Sequence, residues 1–180
     1  LIELMIVVAI VGILAVLAIY GVRKYITNAK TAEARNGIGQ MGKDQSAEWE
    51  MEAMPPTVLP VGSQAATSHL LCASPSGPVP AAVPKGAKYQ SNSATGTDWQ
   101  VDSDKDHQGF ACLKFSMDAP QYYQYNFATA AGQVTTWQAQ AQGDLNGDGA
   151  NYSLFTLDGA VNTTMAFNLA PNIKENNPEE

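Results

Sequence analysis

Cysteine and histidine are scarce in this chain, two of each among 180 residues. There is no CxxC pair and no Cys/His cluster at ligand spacing, so a structural zinc site has nothing to be built from. His69 and His107 stand apart from any serine in a nucleophile-elbow context, and neither Cys72 nor Cys112 has a base beside it in sequence. The familiar nucleophile and base pairings are therefore missing, and no enzymatic activity is expected. Cations are also few, with 10 Lys and Arg against 17 Asp and Glu and a net charge of -7, which argues against a nucleic-acid surface.

What the chain does have is one long apolar run, Leu1 to Tyr20 (LIELMIVVAIVGILAVLAIY), interrupted only by Glu3. About twenty helical residues cover roughly 30 Å, the thickness of a bilayer's hydrocarbon core. A carboxylate at mid-span costs about 2.5 to 3.5 kcal/mol on insertion scales, less near the interface, so Glu3 calls for a compensating partner. A secretory signal would have a shorter apolar region, a basic residue ahead of it and a small-x-small cleavage site behind it, none of which is present. A plain anchor would tolerate Glu3 without needing it. A buried core helix is seldom apolar on all sides at this length.

These residues resemble the amino-terminal segment of type IV pilins and related pseudopilins. In that family a prepilin peptidase removes a basic leader ahead of Phe-Thr-Leu-Ile-Glu, and the new terminus is methylated. The resemblance covers about twenty residues and places Leu1 two positions after the methylated Phe. It implies that Glu3 pairs with the methylated terminus of a neighbouring subunit and that Leu1, Ile2, Leu4 and Met5 pack in a filament core. Many pilins have a kinking Pro where this chain has Tyr20, followed by Gly21, and a Tyr where it has Val22, while Tyr25 keeps one aromatic of the pattern. Flexibility is then expected at Gly12 and Gly21. Arg23, Lys24 and Lys30 would by the positive-inside count put the rest of the chain in the cytoplasm, but the family's removed leader carries the orienting charges.

The remaining chain suits one head domain of about 125 residues, large enough for its own core. Cys72 and Cys112, behind an export-like segment, read as a disulfide closing a loop of about forty residues and stabilising by roughly 3 to 4 kcal/mol. After 1–20, the helix continues as an amphipathic segment over 21–54. Val22, Ile26, Ala29, Ala34, Ile38, Met41 and Trp49 stand at helical spacing to about Ala53, with Pro55 and Pro56 as the stop. Gly37, Gly39 and Gly42 require either close packing or a break. A Pro-, Ser- and Ala-rich loop follows over 55–109, then a sheet over 110–180 from Phe110–Ser116, Tyr122–Ala128, Thr135–Ala141 and Tyr152–Leu157. Turn residues such as Asp118, Pro120 and Gly132 separate the strands, and the polar tail from Pro171 lies on the surface. The fold class is α+β, an antiparallel meander on a helical spine.

Asp144, Asn146 and Asp148 in GDLNGDG match the first half of a calcium loop, with Asn151 or Asp158 as further oxygen donors. The bidentate Glu such a loop needs is replaced by Phe155, so a tight Asx turn is the preferred reading and calcium the alternative; no other cofactor is expected. Asp102, Asp104, Asp106 and His107 read as a solvated acidic loop. The sequons at Asn151 and Asn162 arise easily by chance in so Thr- and Asn-rich a stretch. Tyr122, Tyr123, Tyr125, Phe127 and Trp137 alternate as core aromatics rather than an adhesive or electron-carrying surface.

The resemblance implies a major pilin, a homo-oligomeric helical filament on the bacterial surface serving attachment or motility. Before assembly the subunit would sit in the inner membrane with a periplasmic head. Its partners would be the prepilin peptidase, the pilus assembly machinery and copies of itself, with no nucleic acid. The alternatives are a type II secretion pseudopilin and a membrane-anchored minor pilin acting as a tip binding module.

Overall fold

A computed structural model describes residues 1–52, 61–62, 68–130 and 135–180. One helix, α1 (Ile2–Glu50), makes up the first part of the chain. Its buried positions are Thr31, Ala34, Gly37, Ile38, Met41, Gly42, Gln45, Glu48 and Trp49, a stripe at intervals of three and four that faces the rest of the protein. The expected stripe is correct from Ala34 onward, but Val22, Ile26 and Ala29 are exposed. Apolar spacing alone cannot separate residues that face a sheet of the same chain from residues that face something outside it. The helix stops at Glu50, with Met51 extended at ψ 133°, slightly before the expected Ala53. Ala53, Pro55 and Pro56 lie outside the described residues.

The sheet runs β1 (Tyr123–Ala130), β2 (Thr136–Gly143), β3 (Ser153–Val161), β4 (Phe167–Leu169), all antiparallel. A short β5 (Lys174–Asn176) pairs with β3 at Leu154–Thr156, alongside its first half, while β4 takes Gly159–Val161. Alternate residues of the three long strands are buried: Tyr123, Tyr125 and Phe127, then Trp137, Ala139 and Ala141, then Phe155 and Leu157. Their period of two points them together at the α1 stripe. The aromatic residues pack edge to face, Tyr123 on Phe155 at 5.7 Å and Phe110 on Phe127 at 5.5 Å between centroids. Tyr122 alone of the aromatic set is only partly buried.

Two of the spine glycines are explained by approach of the sheet. A Cβ on Gly37 would lie 2.5 Å from the Tyr125 ring, and one on Gly42 would lie 2.9 Å from Leu157. Gly39 has open space around it, so its loss of about 1 kcal/mol in helix propensity has no packing reason.

Phe110–Ser116 is not a strand. Gly109–Leu113 forms a short helix, α2, capped by Lys114 at φ 57°. Phe110 and Leu113 are both buried, a spacing of one helical turn, and Phe115 returns to bond the Phe110 carbonyl at 3.1 Å. The apolar, aromatic composition of FACLKFS imitates a strand, but the buried side chains of Phe110 and Leu113 recur at three. Cys112 on α2 is joined to Cys72, with 5.8 Å between their Cα atoms. The loop before α2 is held by main-chain bonds as well as by this bridge. Val79 and Tyr125 exchange N–H to C=O bonds of 2.9 and 2.7 Å, covering the outer edge of β1. The expected turn at Gly132 lies outside the described residues. The tail lies on the surface as expected, although it contributes the fully exposed strand β5.

Candidate functional site

The segment that the sequence singles out stands clear of the head. Every residue from Leu1 to Ile26 is exposed, and an 18-residue stretch of α1 with mean hydropathy 3.0 has none of itself buried. Leu1, Ile2, Leu4 and Met5 surround Glu3 in the first turn, where a carboxylate is favoured by the helix dipole. The Ile- and Val-rich composition would weaken a solvated helix, yet suits an apolar surrounding that leaves every backbone group satisfied within the helix. Residues 2–20 at 1.5 Å each reach about 28 Å, enough to cross a hydrocarbon core with little tilt. Gly12 and Gly21 both lie inside the continuous helix, and a Cβ added at either would meet nothing within 4 Å.

Where α1 enters the head, polar groups clasp it. Arg35 makes a bidentate pair with Glu175 on β5, at 2.6 and 2.9 Å, and this pairing holds the Glu175 carboxyl below its usual range. Glu33 accepts the Tyr122 N–H at 2.8 Å, and its own backbone carbonyl accepts the Tyr125 hydroxyl at 3.3 Å. Burial pushes the Glu33 carboxyl up, against the lowering effect of the Tyr122 and Tyr123 N–H groups and of Lys88. Lys24 meets Glu179 of the tail at 3.4 Å in solvent, a weak contact. Sequence reasoning missed Glu33, Arg35 and Glu175, because nothing in the local pattern announces a partner so far away along the chain.

The acidic turn forms the Asx hydrogen bonds of a tight turn. Asp144 is 1% exposed, and its carboxylate accepts the N–H groups of Gly147 and Gly149 at 2.6 and 2.9 Å. Gly147 and Gly149 have φ of 79° and 72°, which only glycine adopts freely. Asn146 accepts the Asp148 N–H at 2.9 Å, and its amide donates to Asp148 and Glu180. Asp148 in turn accepts the Ala150 N–H at 2.8 Å, which lowers its pKa. Asp158 is occupied elsewhere, by Gln138 and Lys174 at 2.6 Å each, and does not join the turn. No group of three or more His, Cys, Asp or Glu is placed to hold a metal among the described residues.

The second acidic cluster is not uniformly solvated. Asp104 and Asp106 are exposed, but Asp102 is wholly buried and bonds the Ser76 N–H at 2.8 Å, the Ser76 hydroxyl at 2.5 Å and Lys105 at 2.7 Å. Burial alone would raise the Asp102 carboxyl, but Lys105 and Ser76 outweigh it and hold it low. Lys105 also touches the Ser76 hydroxyl at 2.7 Å while paired with Asp102. The cluster is an anchor for the loop. His69 bonds the Trp49 carbonyl at 2.7 Å through Nδ1 and stacks near its ring, which is a structural role.

The site is therefore an uncovered apolar helix with one carboxylate, rooted in a disulfide-bonded α+β head. The chain matches no known family model, no curated protein and no solved structure.

Proposed function

We propose that this chain is a structural subunit of a type IV pilus filament, its head a pilin fold and its free helix the part that assembles. One observation carries the reading: α1 leaves the head as a single continuous helix in which residues up to Val22 are apolar apart from Glu3 and are all exposed. A surface of that extent exceeds what a soluble monomer exposes and demands cover. Before assembly the cover is lipid, with the disulfide-bearing head on the oxidising side of the inner membrane. In the filament it is the same segment of other copies, so lipid contacts are exchanged for helix contacts of similar apolar character.

Glu3 then fixes the register. An isolated carboxylate in that bundle is costly, and the family resemblance supplies a neighbour's methylated terminal amine as its counter-charge. Because desolvation offsets much of the attraction, the pair specifies alignment more than it adds stability. Glu3→Ala should leave the subunit processed and inserted but unable to assemble; filaments at wild-type yield would refute the assignment. Mass spectrometry of sheared surface filaments separates the relatives of this reading. Abundance marks a major pilin, trace amounts mark a tip protein, and absence together with a secretion defect marks a pseudopilin.

A further inference from the structure

The head distributes its cations unevenly. Arg35, Lys105, Lys114 and Lys174 each meet a carboxylate at 2.6 to 2.8 Å. Arg23, Lys30, Lys43, Lys85 and Lys88 make no ion pair among the described residues, although the chain carries 17 Asp and Glu. All of these but Lys43 share one end of the molecule. Arg23 and Lys30 line a hollow of about 350 Å³ with Leu145, Asn146 and one carboxylate, Glu179, at the point where α1 leaves the head. Lys30 and Lys88 both lie over the Tyr122 ring, at 4.5 and 5.0 Å, and Lys85 stands beside the turn at Gly149. Of the carboxylates nearby, Glu175 is paired with Arg35 and Glu179 with Lys24, while Glu33, Asp144, Asp148 and Glu180 accept hydrogen bonds from neutral groups.

We infer that this base of the head is a docking surface for the anionic phosphate headgroups of the membrane that α1 enters. The inference rests on the membrane-spanning part of the proposed function. The uncharged run from Leu4 ends at Val22, so Arg23 and Lys24 come at the edge of the hydrocarbon core. Lys30 stands about 10 Å farther along the helix, within one Debye length of the headgroup layer. Tyr20 and Tyr25 are exposed on α1 on either side of that edge, the placement of interfacial aromatic anchors. A second copy would offer carboxylates instead of phosphates, and the aromatic pair at the lipid boundary favours the membrane.

The test places the full chain in nanodiscs of phosphatidylcholine alone or mixed with phosphatidylglycerol and follows acetylation of each lysine by mass spectrometry. A cation near an anionic surface gains about five-fold in occupancy, so Lys30 and Lys88 should react about five-fold more slowly in the anionic discs. Molar salt should erase the difference, and Lys43, on the part of α1 packed against the head, should not respond. In the Lys30→Gln/Lys88→Gln chain, which keeps every ion pair named above, the slowing at Lys85 should shrink. Equal rates in both discs overturn the inference. So does slowing in either lipid that grows with copies per disc, which would assign the surface to a second copy. A chain that enters neither disc refutes the span itself and the inference with it.

Discussion

Residues 2–22 and 31–49 are parts of the same helix, and their side chains meet opposite surroundings. The later part buries Ile38 and Met41 completely and admits Tyr125 and Leu157 so closely that Gly37 and Gly42 have no room for a side chain. The earlier part is more apolar and has nothing to pack against. The head therefore supplies a complete core for one half of the helix and covers none of the other. Stability of the head and assembly of the apolar half should respond to different substitutions, and a substitution that moved both together would break that separation.

Loss of the Cys72–Cys112 bridge should cost the head about 4 kcal/mol from its closed loop in the chain-entropy model, while leaving α1 helical. Thermal unfolding with and without reductant measures it, and two free thiols in unreduced denatured protein would contradict the bond. Ile38→Ala should cost about 2 to 5 kcal/mol of head stability, as expected for a wholly buried side chain. Ile10→Ala, on the exposed half, should leave the head's melting temperature unchanged, and an equal loss from both would abolish the distinction. Gly37→Ala should cost about 1 to 3 kcal/mol by overpacking against Tyr125, whereas Gly12→Ala should not destabilise the head at all.

Smaller effects follow from the buried carboxyls. The Asp102 pKa is lowered in the folded head, so its contribution is present above the ordinary carboxylate range and is lost as pH falls through and below that range. Glu33 is raised, so it has the opposite sign, and stability gained from it increases as pH falls through its elevated pKa. Asp102→Asn should flatten the acid limb of the stability curve, and Glu33→Gln should remove the opposing drift; curves superposable on wild type would contradict both. Calcium should have the smallest effect of all. With Asp144 bonded to Gly147 and Gly149, millimolar calcium and excess chelator should give the same melting curve, and a higher melting temperature in calcium would restore the metal reading.

Much of this architecture is legible in the sequence. The apolar run, the amphipathic continuation and the cysteine pair are visible, and β1 to β3 follow from alternation in YYQYNFA, TTWQAQA and YSLFTL. FACLKFS misleads because its apolar and aromatic composition suits a strand, while Phe110 and Leu113 are buried by helical spacing. FNL and KEN are too short and too polar to signal strands, and they become strands only because β3 offers them an edge. Asp102 looks like one of several loop acids until Ser76 and Lys105 are seen around it. The boundary between the two halves of α1 is hidden in the sequence for a related reason. Val22, Ile26 and Ala29 continue the same periodicity as Ala34 and Ile38, and only the position of the sheet ends the stripe.

The central claim is that the apolar half is covered by copies of itself. A photo-cross-linking residue in place of Ile10, expressed in the full-length subunit in piliated cells, reports directly on what lies against that surface. The account predicts cross-linked oligomers of the subunit whose adducts map to residues 2–22 of a second copy, and predicts their loss with Glu3→Ala. Adducts confined to lipid or to a different protein, in cells that carry filaments of this subunit, would contradict it.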